Sequence, residues 1–142
     1  MIERAEFEVG ESATLERTID DPMIRGFAEV TGDRNPVHLD DDYAKTSFFE
    51  GRIAHGMLVA SLISEVLGTR LPGPGTIYLG QQLKFLAPAR PGDTVTIRVE
   101  IVAFDKERGR MTMSTRVTNQ RGEVLIDGEA KLVMAAALRK RG

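Results

Sequence analysis

Two short segments carry most of the residues able to do chemistry. The first reads Gly32-Asp33-Arg34-Asn35-Pro36-Val37-His38 and holds one of only two histidines in the chain. Pro36 disfavours a helical conformation at Asn35, so the backbone there turns or extends and can bring Asp33 and His38 together. A carboxylate and an imidazole sharing a pocket can hold a water and take its proton. The same residues are also ordinary turn chemistry, with Asp33 bonding backbone amides and His38 a satisfied core or surface residue. The segment alone leaves both readings open.

The second segment, Ile53-Ala54-His55-Gly56-Met57, opens an apolar stretch running to Leu67. A helix start presents unpaired amides and the positive end of a dipole. Gly56 has no side chain to keep a ligand from its N–H, so a thioester or carboxyl oxygen can approach closely. His55 is expected to cap or pack there rather than to transfer protons. Ser61 either contacts substrate or water, or bonds back to the carbonyl of Met57. The histidines are 17 positions apart, and no metal-ligand spacing links them through Asp40-Asp41-Asp42, which read as a solvated helix start. No metal site is expected.

These segments need a frame. Asp21-Pro22 signals a helix start, with Asp21 as the capping acid, and Gly32 signals its end. Met23, Ile24, Phe27 and Val30 fall at helical spacing for a buried face, with Arg25 and Glu29 opposite. The helix from His55-Gly56 to Leu67 is apolar almost all round, which predicts burial on most sides. After the loop Leu71-Pro72-Gly73-Pro74-Gly75, the period changes to two: Val95, Ile97, Val99 and Ile101 alternate with Thr94, Thr96, Arg98 and Glu100.

Breaks at 88–93, 105–109 and 120–122 divide this half into four long strands joined by hairpins, an antiparallel meander, with Ser12 to Thr18 as a fifth strand. Gly80 and Gly128 mark a bulge or a close backbone contact. An all-apolar helix beside a long antiparallel sheet is buried most simply when the sheet curls around it, an α+β hot-dog architecture; a generic α+β sandwich fits the same elements.

Phe27, Thr31, the run Gly32 to His38, and Ala44 together match a hydratase motif: an aromatic, a small residue, Gly-Asp-x-Asn-Pro, an aliphatic, His, and a small residue six places on. With Ala54-His55-Gly56-Met57-Leu58, Ser61 and Ile77-Tyr78-Leu79-Gly80-Gln81, the chain resembles the MaoC-type hydratases, most closely the (R)-specific enoyl-CoA hydratases, over residues 8 to 135. The resemblance implies a single hot-dog domain over 1–142, a homodimer, and a tunnel beside the buried helix that takes an acyl thioester, on CoA or acyl carrier protein. It implies an enzyme of fatty acid metabolism adding water reversibly to 2-enoyl-CoA to give the (R)-3-hydroxyacyl product. Asp33 and His38 would be the catalytic pair and the Gly56 N–H the oxyanion donor. Asn35 and Ser61 would be supporting contacts, and His55 only a structural neighbour. No cofactor is implied beyond the CoA carried by the substrate.

A thioesterase would use an acid on the central helix, where Glu65 stands alone and far from Gly56. A non-catalytic acyl-thioester binding module is the other alternative.

Composition narrows the rest. The 142 residues are 42% hydrophobic and 28% charged, enough for one packed domain. A net charge of -2 argues against nucleic-acid and anionic-membrane partners. Without cysteine there are no disulfides, thiolate nucleophiles or cysteine-ligated metals. Met1 to Glu6 lacks a secretion profile and no apolar run reaches membrane-spanning length, so a cytosolic location is expected. The tail Arg139-Lys140-Arg141-Gly142 reads as a frayed, solvated end.

Overall fold

Helix α1 spans Asp21–Thr31, and its capping acid is Asp20, one residue earlier than expected, whose side chain accepts from the Met23 N–H. Gly32 closes it at φ 79°, the left-handed conformation that glycine adopts without a Cβ clash. The buried side of α1 is Ile24 and Ala28, with Met23 and Phe27 packed beside them; Val30, expected inside, is 87% exposed. Ile24 and Ala28 are one turn apart, and Val30 lies half a turn from Ala28, so it faces away from the buried side.

The computed structural model describes residues 3–141, so Met1, Ile2 and Gly142 lie outside it. Before α1 comes strand β1 (Ser12–Thr18); after it come the short helices α2 (Pro36–Leu39) and α3 (Asp41–Lys45). Helix α3 begins as the three aspartates predict: Asp40 caps the Tyr43 amide, and Asp41 and Asp42 fill the first turn. Helix α4 (Gly56–Thr69) continues through Gly68, and strands β2 (Thr76–Phe85), β3 (Thr94–Asp105), β4 (Arg110–Thr118) and β5 (Val124–Met134) follow. The chain ends its described part in α5 (Ala135–Arg141), so the basic tail is helical up to Arg141 rather than frayed.

All five strands form one antiparallel sheet in the order β1-β3-β4-β5-β2. The meander holds for β3, β4 and β5, but β2 and β3 are not a hairpin. Residues Leu86 to Asp93 instead carry the chain across, and β2 pairs with β5, from Thr76 opposite Met134 to Phe85 opposite Ile126. This crossover closes the sheet around α4, which packs chiefly on β3 and also on β1, β2 and β4. The result is the hot-dog fold.

The β3 alternation reads as expected, with Val95, Ile97, Val99 and Ile101 fully buried. They meet Leu58, Leu62, Ile63, Val66 and Leu67 of α4 in one core. The sheet's register slips between Tyr78 and Gly80, leaving Leu79 as a bulge. At Gly128 a Cβ would stand 2.0 Å from the Gln82 carbonyl oxygen, so β2 and β5 approach more closely there than a side chain permits.

Candidate active site

Gly32 ends α1 and turns the backbone outward, and Asn35 starts α2. The Asn35 side chain accepts from the Val37 N–H, while an Asp33 carboxylate oxygen accepts from the Asn35 N–H at 3.2 Å. Turn chemistry is therefore present in full, and its effect is to set Asp33 on an exposed loop while burying His38 on the one-turn helix behind it.

The His38 ring is fixed by Ile53: Nδ1 lies 2.8 Å from the Ile53 carbonyl oxygen. A carbonyl only accepts, so Nδ1 carries the hydrogen, and in the neutral ring Nε2 is left as a lone-pair acceptor. Burial pushes the His38 imidazole below its ordinary value, opposed by the Ile53 bond and the Asp33 charge and aided by His55 and Arg52. Its neutral form, the form able to take a proton, is favoured.

The two histidines, which sequence spacing left unconnected, are in contact. Their rings stack with centroids 3.9 Å apart, and Phe27 packs against His55 at 4.9 Å. His55 Nε2 donates to the Asp33 carbonyl at 2.9 Å. One carboxylate oxygen of Asp33 and one ring nitrogen from each histidine lie within 4.8 Å of one another.

Gly56 follows directly as the first residue of α4, and its N–H has no acceptor among the described residues. It lines a cavity of about 300 Å³ with Ile53, Val59, Phe85, Leu125 and Ile126. A Cβ at Gly56 would meet the Phe85 ring at 2.9 Å, so glycine leaves the helix start open on that side. A second cleft, between the exposed stripe Met57, Ser61, Ser64 of α4 and residues Tyr78 to Gln81 and Leu83 of β2, encloses about 340 Å³. Ser61 sits in this second cleft, and its hydroxyl donates to the Leu58 carbonyl rather than to that of Met57.

Arg52 gave no signal in the sequence. Its Nε donates to the His38 carbonyl at 2.7 Å, its guanidinium pairs with Asp21 on α1, and it is nearly buried. Arg52 and Arg25 hold the Asp21 carboxyl below its ordinary range. The His55 contacts to Asp33 and His38 were equally invisible, because they join residues far apart in the chain.

The arrangement can bind a carbonyl oxygen at one point and exchange a proton at another, and the chain as a whole is similar to known proteins. The model of the MaoC like domain matches residues 6–124. An (R)-specific enoyl-CoA hydratase of Rhodospirillum rubrum is 50% identical over 127 residues, covering 89% of this chain and 88% of that protein. A 3-hydroxybutyryl-CoA dehydratase of Methylorubrum extorquens is 47% identical over 125 residues, covering 88% and 79%. Among solved structures, the unliganded R-hydratase PhaJ1 from Pseudomonas aeruginosa superposes with a TM-score of 0.87 at 48% identity, over 92% of this chain and 83% of that one. A matching domain model across the helical half and most of the sheet, with half the residues shared with a relative over 127 positions, makes this chain a member of the MaoC-like family.

Proposed function

We propose that the protein is an (R)-specific enoyl-CoA hydratase, adding water reversibly across the double bond of a 2-enoyl-CoA. The observation that carries this is the juxtaposition of the Asp33 carboxylate with a buried His38 whose Nε2 is free to accept a proton. The relatives named for the same reaction, in both directions, support it.

Hydration needs a base for water, a proton for C2, and a donor for the charge that collects on the thioester oxygen. Asp33 and His38 hold one water between them, and Nε2 of His38 takes its proton as the oxygen bonds to C3. The enolate-like oxygen rests on the Gly56 N–H, at the positive end of α4. The proton then returns to C2 by way of the Asp33 carboxyl, which leaves the pair as it began and gives the product no net charge. Delivery of both parts of water from one face yields a single hydroxy stereoisomer, R in the named relatives. The apolar clefts flanking the start of α4 offer room for the acyl and pantetheine arms. Asn35 serves by capping α2, and Ser61 lines the wall of the second cleft. The mechanism draws on no cofactor beyond the CoA of the substrate.

The hydrolase alternative would assign the chemistry to Glu65, whose carboxylate is paired with Arg17 at 2.7 Å. Edge strand β2 leaves Ile77, Tyr78 and Leu79 partly exposed beside the Met57 stripe, which favours a homodimer closed across this edge. No helix of the described residues is long and apolar enough to cross a membrane, and the cysteine-free sequence suits a cytoplasmic location.

The test is an assay on crotonyl-CoA and longer 2-enoyl-CoA substrates that follows loss of enoyl absorbance and free thiol together, with chiral analysis of product. Hydration to the R isomer without thiol release is expected, and Glu65→Gln should leave it unchanged. Thiol release that disappears in Glu65→Gln would assign the chain to hydrolysis. Tight binding with no turnover would make it a binding module.

A further inference from the structure

His55 is 2% exposed and stands at the capping position of α4, yet its side chain makes no capping bond. Nε2 donates to the Asp33 carbonyl, so in the neutral ring Nδ1 carries a lone pair, and Nδ1 is buried with no partner among the described residues. An unpaired buried acceptor costs stability that an apolar side chain in the same place would not. Packing against Phe27 and His38 therefore does not account for an imidazole here.

What the imidazole provides is reach in two directions. Its Nε2–H ties down the backbone of the residue that carries the carboxylate, and its face lies against the ring of the base. Two residues earlier, the Ile53 carbonyl fixes Nδ1 of His38; one residue later comes Gly56. The segment Ile53 to Gly56 thus holds both members of the pair and ends on the open amide of Gly56, a residue that lines the cavity.

We propose that His55 is the positioning residue of the site: it locks the Asp33 loop through its N–H and the plane of the His38 ring by stacking. This rests on the reading of Asp33 and His38 as the groups that work on water. The titratable and charged groups around His38 are His55 from the start of α4, Asp33 from the preceding loop, and Arg52, itself paired with Asp21 of α1. Because His55 and Arg52 disfavour charge on His38 and Asp33 favours it, removing His55 moves His38 toward easier protonation.

The experiment compares His55→Phe, which keeps a stacking ring but no nitrogen, with His55→Gln, whose amide N–H reaches the place of Nε2. Each is measured for kcat and KM on crotonyl-CoA, for the pH dependence of kcat/KM, and for melting temperature. For His55→Phe the expectation is a kcat lowered about 10- to 100-fold, KM within about threefold, and no fall in melting temperature, since misplacement of a reacting group has costs of this order. Its acid limb should move to higher pH, and His55→Gln should recover part of kcat. Wild-type kcat and an unmoved acid limb in His55→Phe would overturn the proposal while leaving the hydratase reading intact. A loss of kcat that tracks a fall in melting temperature in both variants, with no recovery by Gln, would overturn it as well. If the unaltered enzyme hydrates no enoyl-CoA, the reading beneath the proposal fails, and the proposal fails with it.

Discussion

The imidazole rings of His38 and His55 lie face to face, 3.9 Å between centroids and 29° between planes, although they stand 17 positions apart in the chain. The contact joins α2 to the start of α4 and brings Asp33 and His38, the pair proposed to exchange the proton, together with the helix start that carries the open Gly56 amide. Each hydrogen bond around it restrains one ring: Ile53 on His38, Asp33 on His55.

The pH behaviour follows from the buried state of His38. A base must be unprotonated, so kcat/KM should be flat at neutral pH and fall only on acidification, with a midpoint below the ordinary imidazole value of about 6.5. The same lowered value has a stability consequence. Below the ordinary value the unfolded chain binds a proton that the folded chain resists, so the His38 contribution to stability is intact above it and is lost as pH falls. An activity midpoint above the ordinary value would contradict this environment.

Arg52 links the carbonyl of His38 to Asp21 and is nearly buried, so Arg52→Ala should cost about 1.5 to 3 kcal/mol in urea denaturation, the range for hydrogen bonds to charged groups. Turnover should fall with it, because α2 loses its tether. Arg52→Lys should recover only part of the loss, since one ammonium does not reproduce the guanidinium fork.

Gly56→Ala sets a methyl 2.9 Å from the Phe85 ring, which is half-exposed and can swing aside. Stability should therefore change by less than about 1 kcal/mol. Turnover should fall about tenfold or more, toward the hundredfold typical of a lost oxyanion donor, because the methyl obstructs the approach to the amide. Adding Phe85→Ala removes the clash and should not restore the rate. Full activity in the single variant would place the thioester oxygen elsewhere.

Much of this frame is legible in the residues, and what is not has a physical reason. Gly32, Pro36 and the aspartates mark helix ends because capping is local chemistry, and β3 announces itself by strict alternation. The pairing of β2 with β5 leaves no such trace, since strand order is fixed by which edge closes over α4. Val30 misleads for a related reason: its spacing from Phe27 suits a helix face, but Ile24 and Ala28 are the residues that α1 buries. In the candidate site, the spacing of Asp33 and His38 and the bare Gly56 are visible, whereas Arg52 and His55 act across long chain separations.

The two strand glycines should separate cleanly. In Gly128→Ala the new Cβ meets backbone, the Gln82 carbonyl, and no rotamer relieves that, so a loss of about 3 kcal/mol or failure to fold is expected. Gly80→Ala points into open space and should cost less than about 1 kcal/mol in the same denaturation experiment. Equal costs would contradict the close approach of β2 and β5.

The most direct measurement is the rate of crotonyl-CoA hydration by Asp33→Asn and His38→Ala beside the unaltered protein, with circular dichroism melting to verify folding. The account predicts R-product from the unaltered enzyme and losses of about 100- to 10,000-fold in each variant, without loss of cooperative melting. Near-normal hydration by both variants would show that water is activated by other groups.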